Sequence, residues 1–205
     1  MRILIILLCL VTSITSQNGN DIVDKLVSAL KTNDYISKEI DPAHLGGYES
    51  DNFKATNIVV KGLINMNRMG NSSWKIDDSY ESINLNANLM ANDLKILLDY
   101  NFKLLLVPFS GIMRFNVEQI VAEIILSTNI RPIQPRLDLF SINDVQGLKI
   151  EEITGFKPLN WFAKFVMDRV VHRLIPRVKT VVNEKVTVII NDNLPLLTEV
   201  VKSVM

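Results

Sequence analysis

The most informative pattern along this chain is a two-residue alternation of apolar and polar positions between residues 82 and 106. Its apolar members fall first on odd numbers and, after the polar pair Asn92-Asp93, on even numbers: Ile83, Leu85, Ala87, Leu89, then Leu94, Ile96, Leu98, Tyr100, Phe102 and Leu104. A period of two is typical of a strand with one buried and one exposed face. Two such strands around a polar pair predict an antiparallel hairpin that bends at Asn92-Asp93. Its apolar face must be covered by helices, by a ligand or by both.

Shorter strand-like segments lie before and after this predicted hairpin. They are separated by turn residues such as Gly70-Asn71, Pro108 and Pro132. The predicted strands cover residues 55–65, 74–76, 112–117, 120–126, 136–142 and 145–152. The last two of these predict a second hairpin with Asn143-Asp144 at its bend. Residues 32–54 are rich in turn residues and predict a connection without regular structure.

Helical periodicity begins directly after Asp21, a candidate N-cap. The apolar residues that follow have the spacing of an amphipathic helix: Ile22, Leu26, Ala29 and Leu30. From Leu159 to Ile175 apolar residues cover most of a helical wheel, and this predicts a helix that other elements surround. The order of helix, six or seven strands and long helix predicts an α+β fold.

The long helix should be kinked by Pro176. Apolar residues continue at helical spacing from Val178 to Ile189, although the β-branched run from Val186 to Ile190 also suits a strand. A last short helix should begin near Pro195, because proline is favoured in the first turn.

The first sixteen residues are typical of a secretory signal peptide. A basic Met1-Arg2 start precedes the apolar run from Ile3 to Val11, and small or hydroxylated residues follow to Ser16. The alternative is an N-terminal core helix. We predict cleavage after Ser16, with Ser13 as the second choice, and one secreted extracellular domain over residues 17–205. No later apolar run reaches the length of a membrane span.

Composition excludes several classes of function. Cys9 lies inside the predicted signal peptide, so the mature chain has no thiol for zinc-thiolate or nucleophilic chemistry. The 22 Lys and Arg residues balance the 22 Asp and Glu residues, whereas nucleic-acid binding usually shows a basic excess. Asn71-Ser72-Ser73 is an N-glycosylation acceptor triplet.

Catalytic patterns are weak. Asp168 and His172 stand four residues apart and could face each other on a helix, but no G-x-S-x-G elbow accompanies them, so a surface ion pair is the ordinary interpretation. Glu151-Glu152 is typical of a solvated strand end. Metal-binding motifs and phosphate-binding loops are also absent from the sequence. We therefore expect no enzyme, no cofactor and no metal site.

The segment from Asn57 to Gly70 resembles the group 7 dust-mite allergens and their secreted arthropod relatives. It reads N-I-V-V-K-G-L-I-N-M-N-R-M-G, and the family pattern is N-I-x-V-x-G-L, a short spacer and M-x-R-x-G. The resemblance implies the tubular lipid-binding fold of one half of the bactericidal/permeability-increasing protein. In that fold a strongly curved antiparallel sheet wraps around a long C-terminal helix, with an N-terminal helix beside it. Juvenile-hormone-binding and takeout-like proteins are more distant relatives, and their N-terminal disulfide is missing here.

This fold implies an apolar tunnel or cleft between the sheet and the long helix. The candidate lining residues are Leu85, Leu89, Ile96, Leu98, Phe102, Trp161, Phe165 and Val166. They line a ligand cavity or pack on one another as core, and the sequence leaves both possibilities open. A large apolar void, above about 300 Å³, would favour the cavity.

Three functions follow, in order of preference. The first is a secreted binder or carrier of an apolar small molecule or lipid, namely a fatty acid, a terpenoid or a phospholipid. Its selectivity would be loose, because no buried cation is evident to hold a head group. The second is an innate-immune recognition protein for bacterial lipid or lipopeptide, which a cluster of Lys and Arg near the sheet tip would favour. The third is an interaction protein with a filled core. We expect a monomer or weak oligomer, and transient membrane contact stays open.

Overall fold

The computed structural model describes residues 19–50, 53–77, 81–104, 107–155, 172–195 and 198–199. These residues form one eight-stranded antiparallel sheet with helices before and after it in the chain. The sheet is strongly curved and wraps around the C-terminal helix, so the predicted α+β fold is confirmed. The predicted signal peptide, the helix from Leu159 to residue 171, and Asp168 lie outside the described residues.

Helix α1 covers residues 19–32, α2 covers Asp34–Ile40 and α3 covers His172–Asp192 with Pro176 inside it. Residues 194, 195, 198 and 199 are also helical, near the predicted start at Pro195. Asn33 separates α1 from α2 as an N-cap whose side chain accepts hydrogen bonds from the backbone N–H groups of Tyr35 and Ile36. The stretch from Val186 to Ile190 is helical, so its β-branching did not decide its structure.

The strands in chain order are β1 Ala43–His44, β2 Tyr48–Ser50, β3 Phe53–Lys61, β4 Asn67–Ile76, β5 Ser82–Leu104, β6 Val107–Ile130, β7 Ile133–Gln146 and β8 Lys149–Ile153. Their order across the sheet is β1-β3-β5-β6-β7, with β2 also beside β3, β4 beside β5, and β8 beside β6. The prediction of an irregular connection over residues 32–54 is therefore wrong, because α2, β1 and β2 lie there.

The predicted hairpin at Asn92-Asp93 is wrong, because β5 is one continuous strand. Its register with β6 runs without a shift from Ser82↔Asn129 to Leu104↔Val107. Asp93 has a positive φ of 55°, and Asn92 and Asp93 are both exposed, so the buried positions move from odd to even numbers while the pairing continues. Strand β6 makes the same change at Glu118-Gln119, directly opposite, which joins the two strands predicted there into one.

The second predicted hairpin is also wrong. Asn143 lies inside β7 at a register shift, and after a break at Gly147-Leu148, where Gly147 has a φ of 64°, the chain continues in the same direction along β6 as β8. Strands β7 and β8 both pair with β6 and not with each other. Asn143 is the extra residue of a β-bulge in β7, so the polar pair that predicted a turn lies within a strand.

Four interruptions lie at one level across the sheet. They are the turn at Gly62 between β3 and β4, the phase changes at Asn92-Asp93 and Glu118-Gln119, and the break at Gly147 between β7 and β8. The strand pairing places them side by side. Lys61, next to Gly62, pairs with Lys95, two residues after Asp93, and Gln119 pairs with Gln146, next to Gly147. We call this level the phase line. It divides the sheet into two halves, each of which faces the helices with its own set of alternating residues.

The core lies between the inner face of the sheet and the helices. Fully buried large side chains come from both halves of the sheet and from α1 and α2: Leu94, Leu98, Met113, Phe115, Val117, Ile124, Ile22, Val23, Leu26 and Ile36. Helix α3 contributes Val178, Val182, Val186, Ile189 and Ile190, all of which are buried. Asn183 of α3 also accepts a hydrogen bond from the backbone N–H of Ile142 at 2.9 Å, which ties the helix to the edge strand β7.

Candidate ligand cavity

Two apolar gaps lie under helix α3. The first gap has a volume of about 40 Å³. Its walls come from α1, from the end of α2, from the turn between β3 and β4, from the sheet and from α3: Leu26, Val27, Leu30, Lys31, Ile40, Leu63, Ile64, Met66, Leu89, Ile124, Phe140, Val186 and Ile190. Lys31 is the one polar residue among them.

The second gap has a volume of about 30 Å³. It is bordered by β3, by both halves of the sheet next to the phase line, by Leu63 and by the first turns of α3: Val60, Leu63, Leu94, Ile96, Val117, Ile120, Ile142, Val145, Ile175, Val178, Lys179 and Val182. Here too one residue, Lys179, is polar.

The two gaps follow one another along α3, and the second extends across the phase line. Ile175 to Val182 border the second gap, and Val186 and Ile190 border the first, so the pair extends along about 22 Å of helix at 1.5 Å per residue. Leu63 is the one residue common to both gaps. At this level the sheet carries Ala91 and Ala122, both 0% exposed, so small side chains face the helices where Leu63 enters.

The turn that carries Leu63 is a 3-10 helix over Leu63–Asn65. Gly62 precedes it with a φ of 97°, a conformation that favours glycine. The Asp41 carboxylate accepts hydrogen bonds from the backbone N–H groups of Gly62 at 2.9 Å and Ile64 at 3.3 Å. Leu63 is 3% exposed, whereas Ile64 and Met66 are half-buried, so they form the outer rim of the first gap.

Both gaps are small. Their volumes exceed the roughly 10–15 Å³ that one water needs, but apolar walls leave such spaces dry. They fall well below the roughly 300–1,000 Å³ of pockets that enclose a ligand of drug size. In this conformation the described part of the core is therefore closely packed, and a lipid would have to move the walls apart.

The structure places the predicted lining residues as follows. Leu85, Leu89, Ile96, Leu98 and Phe102 are all buried on the inner face of β5, with exposures from 0% to 8%. Leu89 borders the first gap and Ile96 the second, whereas the other three border neither of them. The three predicted lining residues of the long helix, Trp161, Phe165 and Val166, lie outside the described residues.

Sequence reasoning missed the contributions of α1 and of the turn after β3. Leu26 and Leu30 border the first gap from the amphipathic face of α1, and Leu63 and Met66 border it from the turn. The signal was present in the family pattern, since the glycine-leucine pair that ends its first half is Gly62-Leu63. The sequence analysis found no buried cation, and the two lysines that border the gaps, Lys31 and Lys179, are half-buried.

A larger, open groove of about 570 Å³ lies on the surface between α2 and α3. It mixes apolar and charged side chains: Tyr35, Glu39, Val181, Glu184, Lys185, Val188, Ile189, Asp192 and Asn193. Tyr35 is 72% exposed and Val188 57%. Lys185 Nζ lies 3.7 Å from Glu39 Oε2, so the positive charge of Lys185 is partly compensated within the groove.

The candidate glycosylation site lies on β4. Asn71 is exposed beside Gly70, whose φ is 68°, and its Oδ1 accepts a hydrogen bond from Asn20 Nδ2 at 3.3 Å. The neighbouring Ser72 is buried and donates from its backbone N–H and its hydroxyl to Asn20 Oδ1, both at 2.8 Å.

The titratable groups do not assemble a metal site in the described part of the chain. No group of three or more His, Cys, Asp or Glu side chains is close enough there to hold a metal ion. His44 is exposed on β1, and Glu152 forms an ion pair with Arg114 on β6. The hydrogen bond with Asp24 raises the pKa of Arg68, and burial raises the pKa of Tyr100. None of the described helices has the length and hydropathy needed to cross a membrane.

Comparison with known proteins gives a family and a fold. The sequence model of the Group 7 allergen family matches residues 18–194. Lipopolysaccharide binding protein has a similar structure, with a TM-score of 0.55 and 12% identity over 90% of this chain and 40% of that one. Takeout 1 of Epiphyas postvittana has a TM-score of 0.52 and 14% identity over 88% of this chain and 90% of that one. The chain thus spans about 40% of the lipopolysaccharide binding protein. No curated protein sequence matches it.

Proposed function

We propose that this chain, which belongs to the Group 7 allergen family, is a secreted, non-enzymatic binder or carrier of apolar small molecules. Fatty acids, terpenoids and phospholipid tails are the ligand classes that suit it. The sequence resemblance to this family is confirmed by the match over residues 18–194. Secretion, the ligand and the cleavage after Ser16 belong to the proposal.

The observation that carries the proposal is the pair of gaps under α3. Apart from Lys31 and Lys179, every side chain that borders them is apolar. They adjoin one another at Leu63, so a ligand that displaced this side chain would enter one continuous apolar space. The shared fold with Takeout 1 and lipopolysaccharide binding protein agrees with an interior of this kind, although at 12–14% identity the likeness extends to the fold alone.

The energetics allow such a ligand. Each methylene that leaves water contributes about 0.8 kcal/mol, so a long acyl chain gains on the order of 10 kcal/mol before ordering costs. Opening the closely packed walls and fixing the ligand would reduce that gain, and micromolar affinity is the expected outcome.

The test uses protein made without residues 1–16. Native mass spectrometry should detect co-purified lipid, and a fluorescent fatty acid should be displaced by unlabelled apolar ligands. A Val186→Phe variant should weaken binding, because Val186 borders the first gap and a larger ring fills it. Val188→Phe is the matched control, since Val188 lies on the same helix at an exposed position. Absence of both lipid and displacement in the unmodified protein would refute the proposal.

The rival function is an interaction protein with a filled core. The small volumes of the gaps, about 40 and 30 Å³, favour it. The displacement assay separates the two functions, because a core that does not open would bind no apolar probe. Circular dichroism of the same samples must show folded protein for that result to count.

Recognition of bacterial lipid is less well supported. Lys54 and Lys103 are exposed near the end of the sheet where β5 leads into β6, but Lys54 lies 3.1 Å from Glu49. The overall charge is balanced as well. A protein that binds an anionic surface such as lipopolysaccharide normally carries a basic patch.

A further inference from the structure

Lys31 occupies an unusual position at the first gap. It lies in the last turn of α1, and its side chain is half-buried against the apolar wall. A lysine can bury its methylene stem along apolar surface while its ammonium group reaches water. A lysine near the end of a helix also offsets the helix dipole. That effect explains why a cation is present, but a cation on the exposed face of α1 would serve it equally well.

The ammonium group of Lys31 is held by a neutral partner. Its Nζ donates to Asn67 Oδ1 at 2.8 Å, and Asn67 Nδ2 donates in turn to the backbone carbonyl of Asn65 at 2.8 Å. Asp24, on the same helix, is engaged instead by Arg68 with distances of 2.8 and 2.9 Å. At the described rim of the first gap, a positive charge thus meets amide groups and apolar side chains, without a carboxylate partner.

We propose that the first gap binds a fatty acid, with the carboxylate on Lys31 and the acyl chain between α3 and the sheet. This rests on the proposed function and adds the class of head group to it. The carboxylate would replace Asn67 Oδ1 as the acceptor of the Lys31 ammonium. A carboxylate adds the attraction between opposite unit charges to the hydrogen bond, which the neutral amide of Asn67 does not supply. The exchange therefore favours the acid over an alcohol of equal chain length.

The second gap is less suited to bind the carboxylate head group. Its lysine, Lys179, donates to the backbone carbonyl of Asn143 at 3.0 Å, and the next residue in the chain is Asp144. A carboxylate so close in sequence would repel an anionic ligand. The acyl chain is thus expected to point from Lys31 toward the second gap and past Leu63.

The test compares hexadecanoate with hexadecanol in the displacement assay. Unmodified protein should prefer the acid, and Lys31→Met should weaken binding of the acid by about tenfold or more, since a hydrogen bond between charged groups is lost. Methionine keeps an apolar stem, so binding of the alcohol should change little. Lys31→Arg should retain the preference. Lys38→Met is the matched control, because Lys38 is exposed on α2 and does not border the gap.

A second variant changes Asn67, the residue that accepts the hydrogen bond of the Lys31 ammonium. Asn67→Asp places a carboxylate beside the Lys31 ammonium, so it should compete with the ligand head group and weaken binding of the acid alone. Equal affinities of the unmodified protein for acid and alcohol, or an equal loss of both ligands in Lys31→Met, would overturn the inference and leave the proposed function intact. Failure of the unmodified protein to bind either ligand would overturn both.

Discussion

Gly62 fixes the turn that brings Leu63 between the two gaps. Its φ of 97° lies in the region that side chains with a Cβ rarely adopt, and a Cβ added there would lie 3.2 Å from the Cα of Leu94. The Asp41 carboxylate holds the following turn through two backbone N–H groups. A single glycine and one carboxylate therefore set the position of the residue that divides the apolar interior.

Gly62→Ala should destabilise the protein by about 1–2 kcal/mol from backbone strain, with a further cost from the close approach to β5. The midpoint of urea unfolding measures this loss. Gly46→Ala is the matched control, because Gly46 also has a positive φ, of 74°, but nothing lies within 4 Å of its added Cβ. Equal losses in the two variants would show that the contact with β5 contributes nothing.

Asn71 is proposed to carry an N-linked glycan when the chain is secreted from a eukaryotic cell. Asn71→Gln should then remove the mass shift that a glycosidase removes from the unmodified protein. The thermal midpoint should change little, since the exposed side chain makes one long hydrogen bond of 3.3 Å to Asn20. A loss of several degrees in unglycosylated protein would instead indicate that the side chain is structural.

The helical conformation of α3 is stabilised by its packing against other elements. Its apolar side chains cover the gaps, and it is tied to β7 by Asn183 and by the Lys179 ammonium. Burial of this face provides a reason why the β-branched stretch from Val186 to Ile190 is helical, since tertiary packing commonly overrides intrinsic propensity.

Val182→Asp should unfold the protein or lower its stability by several kcal/mol, because an unpaired charge would be buried at a position that is 2% exposed. Val188→Asp, on the same helix at a position that is 57% exposed, should have a small effect. Thermal melting followed by circular dichroism compares the two. Similar melting curves would mean that α3 is not packed on the sheet.

Alternation along the chain predicted the strands but not where they end. The alternation shows which side chains are buried. At Asn92-Asp93 the buried positions change from odd to even numbers, and this change would look the same in the sequence if the chain turned back or if it continued through a residue with positive φ. The partner strand decides between these outcomes, and Glu118-Gln119 makes the same change directly opposite. The buried face of β5 could be predicted from alternation, whereas the positions of Leu63 and Lys31 could not, because they depend on contacts between distant segments.

In the molecule as a whole, a curved sheet and a long helix enclose an apolar interior that is almost filled. The two gaps follow one another along α3, and Leu63 borders both of them. Ligand binding would then require a coordinated opening at the turn after β3, whose Ile64 and Met66 form the outer rim of the first gap. The surface groove between α2 and α3 is the competing location, since it is already open and has a volume of about 570 Å³.

Paramagnetic NMR with a nitroxide-labelled fatty acid tests this account most directly. If the ligand enters under α3, a label on its chain should broaden the amide signals of Leu89, Ile124 and Val186, with the signals of Tyr35 and Val188 broadened less. Broadening confined to Tyr35 and Val188 would place the ligand in the surface groove, and no broadening at saturating probe would mean that the core does not open. Either result would contradict a binding site between the sheet and α3.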